Sequence, residues 1–162
     1  MKIKLTVLAF FISMLLTGQV LAFDVGGLSY SVIGGTNVAV TGRASGNTDT
    51  DIVIPATASD GTTTYSVTTI PTNAFKYNAL TSVIIPDSVT AIGDGAFADN
   101  ALSSVIIPDS VTTIGQNAFY NNALTSAAFE GDSGSFDTFM FYNNSALATI
   151  TYCDVKTGWP QG

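Results

Sequence analysis

One segment of this chain returns almost unchanged 22 residues further along. Residues 80–92 read LTSVIIPDSVTAI, and residues 102–114 read LSSVIIPDSVTTI. The tripeptide Asn-Ala-Leu recurs with the same period, and its last copy carries one inserted residue. Two columns share this spacing: Phe75, Phe97, Phe119 and Phe141, and Ile70, Ile92, Ile114 and Phe136. Columns that keep their register through four copies are typical of a solenoid, in which each coil has roughly 20–29 residues.

Each repeat is predicted to begin with a short strand. Val83 and Ile85 alternate with Ile84, so two of these side chains point inward and Ile84 points outward. Leu80 precedes them on the inner side. Pro86 ends the strand, because proline has no N–H to donate to a ladder.

The second half of each unit is predicted to return the chain along the far side. Val89 and Ile92 face inward there, and Ala96 and Phe97 pack inward on a short turn or helical segment. Asn78 turns the chain into the next strand, using a side chain that can bond to backbone amides. A single coil cannot bury its own apolar face, so the coils must stack and the phenylalanines form a continuous file of rings. We interpret these rings as structural.

The N-terminus has the pattern of a secretory leader. Lys2 and Lys4 precede an apolar stretch of about a dozen residues, Leu5–Leu16, and Ala22 offers a small residue for cleavage. An uncleaved membrane anchor is the alternative, but the stretch is shorter than the roughly 18 residues that a spanning helix needs. We therefore expect cleavage after Ala22 and an exported protein, whether extracellular, on the cell surface or periplasmic, with no stable membrane insertion.

Charge restricts the partners. The chain is 46% hydrophobic but only 10% charged, with a formal net charge of −7. Removal of the leader leaves Arg43, Lys76 and Lys156 against twelve acids, a net charge of −9. Nucleic acids are bound through Lys and Arg, so neither nucleic acid nor an anionic membrane is expected as a partner. An acidic surface weakly favours cationic partners.

No sequence motif predicts catalysis, a metal site or a cofactor. Residues 131–134 read GDSG, as around the nucleophile of trypsin-like proteases, but the chain has no histidine to accept the proton of Ser133. Acids such as Asp49, Asp51 and Asp87 stand singly at turns, which favours turn capping over the clustered carboxylates of a calcium site. We therefore expect that this protein is not an enzyme.

The residues from Leu80 to Phe97, and again from Leu102 to Phe119, resemble the BspA-like leucine-rich repeats of bacterial surface proteins. The resemblance covers about residues 49–152 and implies a non-catalytic binding protein. It also implies a leucine-rich-repeat solenoid, mostly β, with short turns or helical segments on its convex side and a β-rich N-terminal cap before it. Glu130, which replaces the strand-ending proline, and Ser133, which replaces an inward valine, make one coil irregular.

The predicted organisation has four parts. The cap contains two hairpin turns, at Gly26-Gly27 and Gly34-Gly35, and an insertion around residues 59–62 separates the first repeat strand from its return segment. The lone Cys153 is either a half-buried small side chain or a partner in an intermolecular disulfide. The parts are a signal peptide (1–22), the cap (23–48), the solenoid (49–152) and a C-terminal tail (153–162).

The outward strand positions form the candidate binding face. They stack in three columns of small, neutral and partly apolar residues: Thr81, Ser103 and Thr125; Ser82, Ser104 and Ser126; Ile84, Ile106 and Ala128. A contiguous apolar strip of this kind is a docking surface for a partner. The alternative is that β-branched residues stand there because they favour strands.

Two functions follow from these patterns. The first is a secreted or cell-surface module that binds an extracellular protein or glycan through the strand face. The second is a structural, exported solenoid that self-associates through its ends, or a truncated fragment of a larger adhesin.

Overall fold

The structure is a computed structural model that describes residues 21–131 and 138–152. These residues form a strand-rich fold with a single short helical segment, the 3₁₀ turn Thr138–Phe141. The strands are β1 (Ala22–Val25), β2 (Leu28–Gly34), β3 (Asn37–Arg43), β4 (Asp51–Val53), β5 (Thr57–Ser59), β6 (Thr64–Ile70), β7 (Ser82–Ile84), β8 (Ala91–Ile92), β9 (Ser104–Ile107), β10 (Thr113–Ile114), β11 (Ser126–Phe129) and β12 (Thr149–Tyr152).

An antiparallel meander precedes the repeats. Strands β1, β2 and β3 pair in order, and the turn between β1 and β2 lies at Gly26-Gly27, as the sequence predicts. The second turn lies one residue later than predicted, at Gly35-Thr36, because Gly34 ends β2 and pairs with Asn37. All four glycines have positive φ angles, which side chains with a Cβ rarely adopt. Strand β3 then pairs in parallel with β6, with Asn37 opposite Ser66, so the meander continues directly into the repeat.

Two sets of parallel strands run through the repeat, one on each side of the core. The return sheet contains β6, β8 and β10 next to β3 and β5, and it places Ile70 opposite Ile92 and Ile92 opposite Ile114. The other set begins each unit: β4 pairs with β7, and β9 pairs with β11, which pairs with β12. Because equivalent positions pair across successive units, the 22-residue period corresponds to one coil per unit.

The phenylalanine column is one file of rings in the hydrophobic core, as predicted. The ring centroids of Phe75 and Phe97 lie 5.4 Å apart, those of Phe97 and Phe119 lie 5.3 Å apart, and Phe141 follows at 5.5 Å. Phe75, Phe97 and Phe119 are fully buried. Leu80 and its equivalents, Leu102 and Leu124, are fully buried beside them.

Three asparagine side chains each join one coil to the coil before it. Oδ1 of Asn100 accepts hydrogen bonds from the backbone N–H groups of Asn78 and Leu80, at 3.0 and 2.9 Å. Nδ2 of Asn100 donates to the carbonyl groups of Phe75, Phe97 and Ala98, at 2.8–3.1 Å. The equivalent side chains, Asn122 and Asn144, make the same kinds of contact one and two coils later.

The insertion between β4 and the return sheet is a hairpin. Strands β5 and β6 pair antiparallel, and the side chain of Asp60 organises the turn between them. Its carboxylate accepts hydrogen bonds from the hydroxyl and N–H groups of Thr62, the N–H of Thr63 and the hydroxyl of Tyr65. These bonds, the one from the Thr62 hydroxyl above all, hold the pKa of Asp60 well below its usual value.

Several predictions concern residues outside the described ranges. These are the leader up to residue 20, the GDSG motif from Asp132 onward with Ser133, the column position Phe136, and the tail from Cys153 to Gly162. In the parts of the chain that are described, no helix has the length and apolar character required to cross a bilayer.

Candidate functional site: the strand face

We call the outer side of β4, β7, β9, β11 and β12 the strand face. The nine candidate residues lie on it: Thr81, Ser82, Ile84, Ser103, Ser104, Ile106, Thr125, Ser126 and Ala128. Seven of them are exposed, and Ser126 and Ala128 are partly exposed. The two isoleucines are the largest side chains among them, with exposed fractions of 60% for Ile84 and 56% for Ile106.

The ladders bring these residues into columns across the sheet. Ser126 lies opposite Ser104 on one side and opposite Thr149 on the other. In the next outward column, Ala128 lies between Ile106 and Thr151. The outward positions of successive coils therefore form continuous rows from β9 to β12.

Strand β4 adds two residues to this face that the sequence analysis did not select. Asp51 lies opposite Ser82, and Val53 lies opposite Ile84. Val53 is 64% exposed, so the apolar strip extends one coil beyond Ile84. The alternation of Asp51, Ile52 and Val53 indicates that Asp51 and Val53 point outward, because Ile52 occupies the inward position and is buried.

A carboxylate sits at the start of the strand face. Oδ1 of Asp51 accepts hydrogen bonds from the hydroxyl groups of Thr81 at 2.7 Å and Ser82 at 2.9 Å. These bonds lower the pKa of Asp51, with the Thr81 hydroxyl as the largest cause. Asp51 is therefore ionised at neutral pH, and it orients two of the candidate hydroxyl groups toward itself.

A groove opens in the middle of the strand face, between β7 and β9. Within the described residues these two strands share no ladder: β7 pairs with β4, and β9 pairs with β11. The groove has a volume of about 280 Å³, and its walls carry Ile84 on one side and Ile106 on the other. Asp87 and Glu130 line it as well. The site thus combines apolar walls with two carboxylates.

The chemistry available on this face is that of binding. Ser and Thr hydroxyl groups both donate and accept hydrogen bonds, and the isoleucines offer apolar area. Across residues 21–131 and 138–152, no three acidic, Cys or His side chains come together in a group that could hold a metal ion.

Solved structures that are similar to this chain include two bacterial leucine-rich-repeat proteins. A leucine-rich repeat protein from Bacteroides capillosus is 22% identical to this chain, with a TM-score of 0.57, and the match covers 80% of this chain and 97% of that one. A leucine rich cell surface protein from Faecalibacterium prausnitzii is 20% identical, with a TM-score of 0.42, and the match covers 85% of this chain and 56% of that one. The first likeness shows a leucine-rich-repeat fold. None of the curated proteins compared with the chain matches it.

A family model gives the identification. The model is described as a BspA type leucine rich repeat region of six copies, and it matches residues 68–157, more than half of the chain. The matched segment contains the phenylalanine file, the asparagine contacts and most of the strand face. The resemblance noted in the sequence is therefore confirmed, and the chain belongs to the family of BspA-type leucine-rich repeat proteins.

Proposed function

We propose that this protein is an exported, non-catalytic binding module that engages an extracellular protein or glycan through the strand face. The observation that carries the proposal is the exposure of Ile84 and Ile106 on the walls of one groove, with the exposed Val53 next to Ile84 in the ladder. Val53 lies opposite Ile84 in the ladder, and Ile84 and Ile106 form two walls of the groove. Three large apolar side chains so placed form a strip that a partner would cover.

The composition of the strip favours a protein as the partner. Apolar anchors that fill a pocket and are surrounded by polar groups supply most of the energy of protein interfaces. The groove between Ile84 and Ile106 would accept one such anchor, and the hydroxyl groups of Ser82 and Ser104 border it. Asp87 and Glu130 in the same groove favour a partner that carries a positive charge next to its anchor.

Export, and the form of the molecule, belong to the same proposal. In it, residues 1–22 are a cleaved leader, the stacked coils are a solenoid, and β1–β3 serve as its N-terminal cap. The positively charged and apolar start of the sequence, from Lys2 to Leu16, supports export.

The test is a binding screen of the mature chain against extracellular matrix proteins and glycans, followed by substitution. Ile84→Asp and Ile106→Asp should each weaken the interaction by about ten-fold or more, because a charge replaces an apolar anchor. Ile33→Asp is the matched control, since Ile33 is 53% exposed on β2, away from the strand face. A partner that binds all three variants as tightly as the parent would exclude the strand face as the site.

Self-association through the C-terminal end is the second candidate. Ile150 on β12 is 43% exposed, although its partners in the same inward column, Ala127 and Val105, are buried. Phe139 and Tyr142 on the last turn are exposed as well. Sedimentation velocity of the full mature chain decides the matter: a defined oligomer that Ile150→Asp dissociates and Ile84→Asp leaves intact supports it. A monomer at all concentrations rules it out.

A further inference from the structure

The turns that join each return strand to the next coil form a separate surface, which we call the turn side. It comprises residues 72–77, 94–99, 116–121 and 138–143. Three columns of residues run along it, spaced by one coil: Asn73, Gly95 and Asn117; Lys76, Ala98 and Tyr120; Thr72, Asp94 and Gln116. In two of these columns the middle coil carries a small residue between two large ones.

This substitution of small for large side chains creates a notch. Gly95 and Ala98 are buried at its base, with Asn73 and Lys76 in the preceding coil and Asn117 and Tyr120 in the following coil. The notch has a volume of about 310 Å³, near the lower end of the range for small-molecule pockets. It therefore has room for one small ring, not for an extended peptide.

Tyr120 forms an aromatic wall of the notch. One face of its ring stacks on Tyr142, the equivalent residue of the next coil, with 6.0 Å between centroids and 15° between planes. The preceding coil carries Ala98 at this position, so the opposite face of Tyr120 borders the notch. The ring is half-buried and packs against Tyr142 on one face, so it is ordered before a ligand binds. This order reduces the entropy lost on binding.

The polar groups of the notch are of two kinds: charged groups that already contact other protein groups, and side-chain amides that are available to a ligand. Nζ of Lys76 lies 3.7 Å from Oδ2 of Asp99, and Oδ1 of Asp94 accepts a 2.8 Å hydrogen bond from the N–H of Gln116. The side-chain amides of Asn73, Gln116 and Asn117 make no hydrogen bond within the described residues. Each amide can both donate and accept.

From this arrangement we propose that the notch is a binding subsite for one ring of a neutral saccharide. A sugar ring presents an apolar C–H face, which fits the free face of Tyr120, and hydroxyl groups that both donate and accept, which fit the three amides. Sulfated or phosphorylated ligands are disfavoured, because the one cation in the notch is paired and the protein carries a net charge of −7.

The conformation of the turn does not by itself explain the notch. Asn73, Gly95 and Asn117 share the same left-handed backbone, with φ angles of 59°, 59° and 57°. Asparagine satisfies this position in two coils, so glycine is not required in the third. An ideal Cβ at position 95 would meet Oδ1 of Asn73 at 2.7 Å, so glycine there lets the Asn73 side chain pack closely and keeps a further side chain out of the notch.

Because the three positions share one backbone conformation, a substitution at Gly95 can test the notch without changing the turn. Gly95→Asn gives the middle coil the residue that its two neighbours already carry at the same φ, and it fills the notch. The nearest obstacle to the new Cβ is Oδ1 of Asn73 at 2.7 Å, the end of a movable side chain, so the fold should be retained. Tyr120→Ala removes the aromatic wall, and Tyr120→Phe keeps it.

The experiment uses the full mature chain and three neutral tetrasaccharides as probes: mannotetraose, maltotetraose and chitotetraose. A heparin tetrasaccharide is the anionic comparison. Saturation-transfer NMR and calorimetry should detect binding of at least one neutral probe, weakened about ten-fold or more by Gly95→Asn and by Tyr120→Ala but not by Tyr120→Phe. Circular dichroism melting curves confirm that each variant is folded.

Three results would overturn the subsite: no neutral probe binds, Gly95→Asn and Tyr120→Ala bind as the parent does, or heparin binds more tightly than every neutral probe. The site is independent of the strand face. Ile84→Asp and Ile106→Asp should leave saccharide binding unchanged, and Gly95→Asn should leave a strand-face partner bound, so the two proposals can fail separately.

Discussion

The rings of Phe75 and Phe97 lie parallel, with 5.4 Å between their centroids and 1° between their planes. Each ring therefore packs inside its own coil and also against the ring of the next coil. Phe97 has a second ring, Phe119, at 5.3 Å on its other side. A ring in the middle of this file packs against the rings of two other coils, so its loss affects three coils.

Phe97→Ala should therefore lower the free energy of unfolding by about 3–5 kcal/mol, because it opens a cavity between two rings that cannot collapse toward each other. Urea unfolding followed by circular dichroism measures the loss. Phe97→Leu keeps most of the volume and should cost less. A loss under about 1 kcal/mol for the alanine variant would contradict the description of the file.

Asn100→Ala should cost more than Asn78→Ala. The Asn100 side chain satisfies five backbone groups from two coils, whereas that of Asn78 donates to the carbonyl of Lys76 within its own turn. Backbone groups without a partner in a half-buried site are costly, so we expect about 2–4 kcal/mol for Asn100→Ala and about 1 kcal/mol for Asn78→Ala. Equal losses in urea unfolding would show that the contact between coils is unimportant.

The hairpin of β5 and β6 should depend on pH through Asp60. The pKa of Asp60 in the folded chain lies below the ordinary value of 3.8, so the folded state favours the ionised carboxylate. The stabilisation is fully present above pH 3.8 and is lost as the pH falls through the folded value. Melting temperatures of Asp60→Asn and the parent should differ at pH 5 and 7, and the difference should shrink steadily as the pH falls below 3.8. A difference that grows on acidification would reverse the assignment.

Cleavage after Ala22 predicts a mature chain that begins with Phe23. This residue pairs with Tyr30 in the β1–β2 ladder, and its ring stacks on Tyr30 at 5.4 Å and lies 5.6 Å from Tyr65. The new N-terminus would therefore be held by the sheet. N-terminal sequencing of protein exported from a bacterial host should give Phe-Asp-Val, and Phe23→Ala in the mature chain should lower stability by about 1–3 kcal/mol. A first residue further along the chain would remove β1 from the mature fold.

The features that repeat were predictable from the sequence. The phenylalanine file, the inward Leu80 and Val83, and the outward Ile84 follow from alternation and a fixed period, because each copy confirms the others. The two hairpin turns were predictable to within one residue for a different reason, since a positive φ limits the residues that a turn accepts.

The features that occur once were harder to predict. The parallel pairing of β3 with β6 joins Asn37 to Ser66 across an intervening segment, and no pattern in either strand specifies it. The groove depends on β7 and β9 not sharing a ladder, although both contain Ser-Val-Ile. The sequence shows the small residues Gly95 and Ala98, but only the structure shows that their columns lie on the turn side, where small residues leave a notch.

The identical junction between coils has a consequence for the gene. A ring, an asparagine amide and an inward leucine meet in the same way at the three junctions that Asn100, Asn122 and Asn144 bridge, so recombination between these copies of the repeat yields a chain one coil shorter or longer whose new neighbours already match. Loss of a copy would bring Asn122 to the place that Asn100 holds against Leu80. The length of the binding surface can thus change by whole repeats during evolution, and no new type of contact between coils is needed.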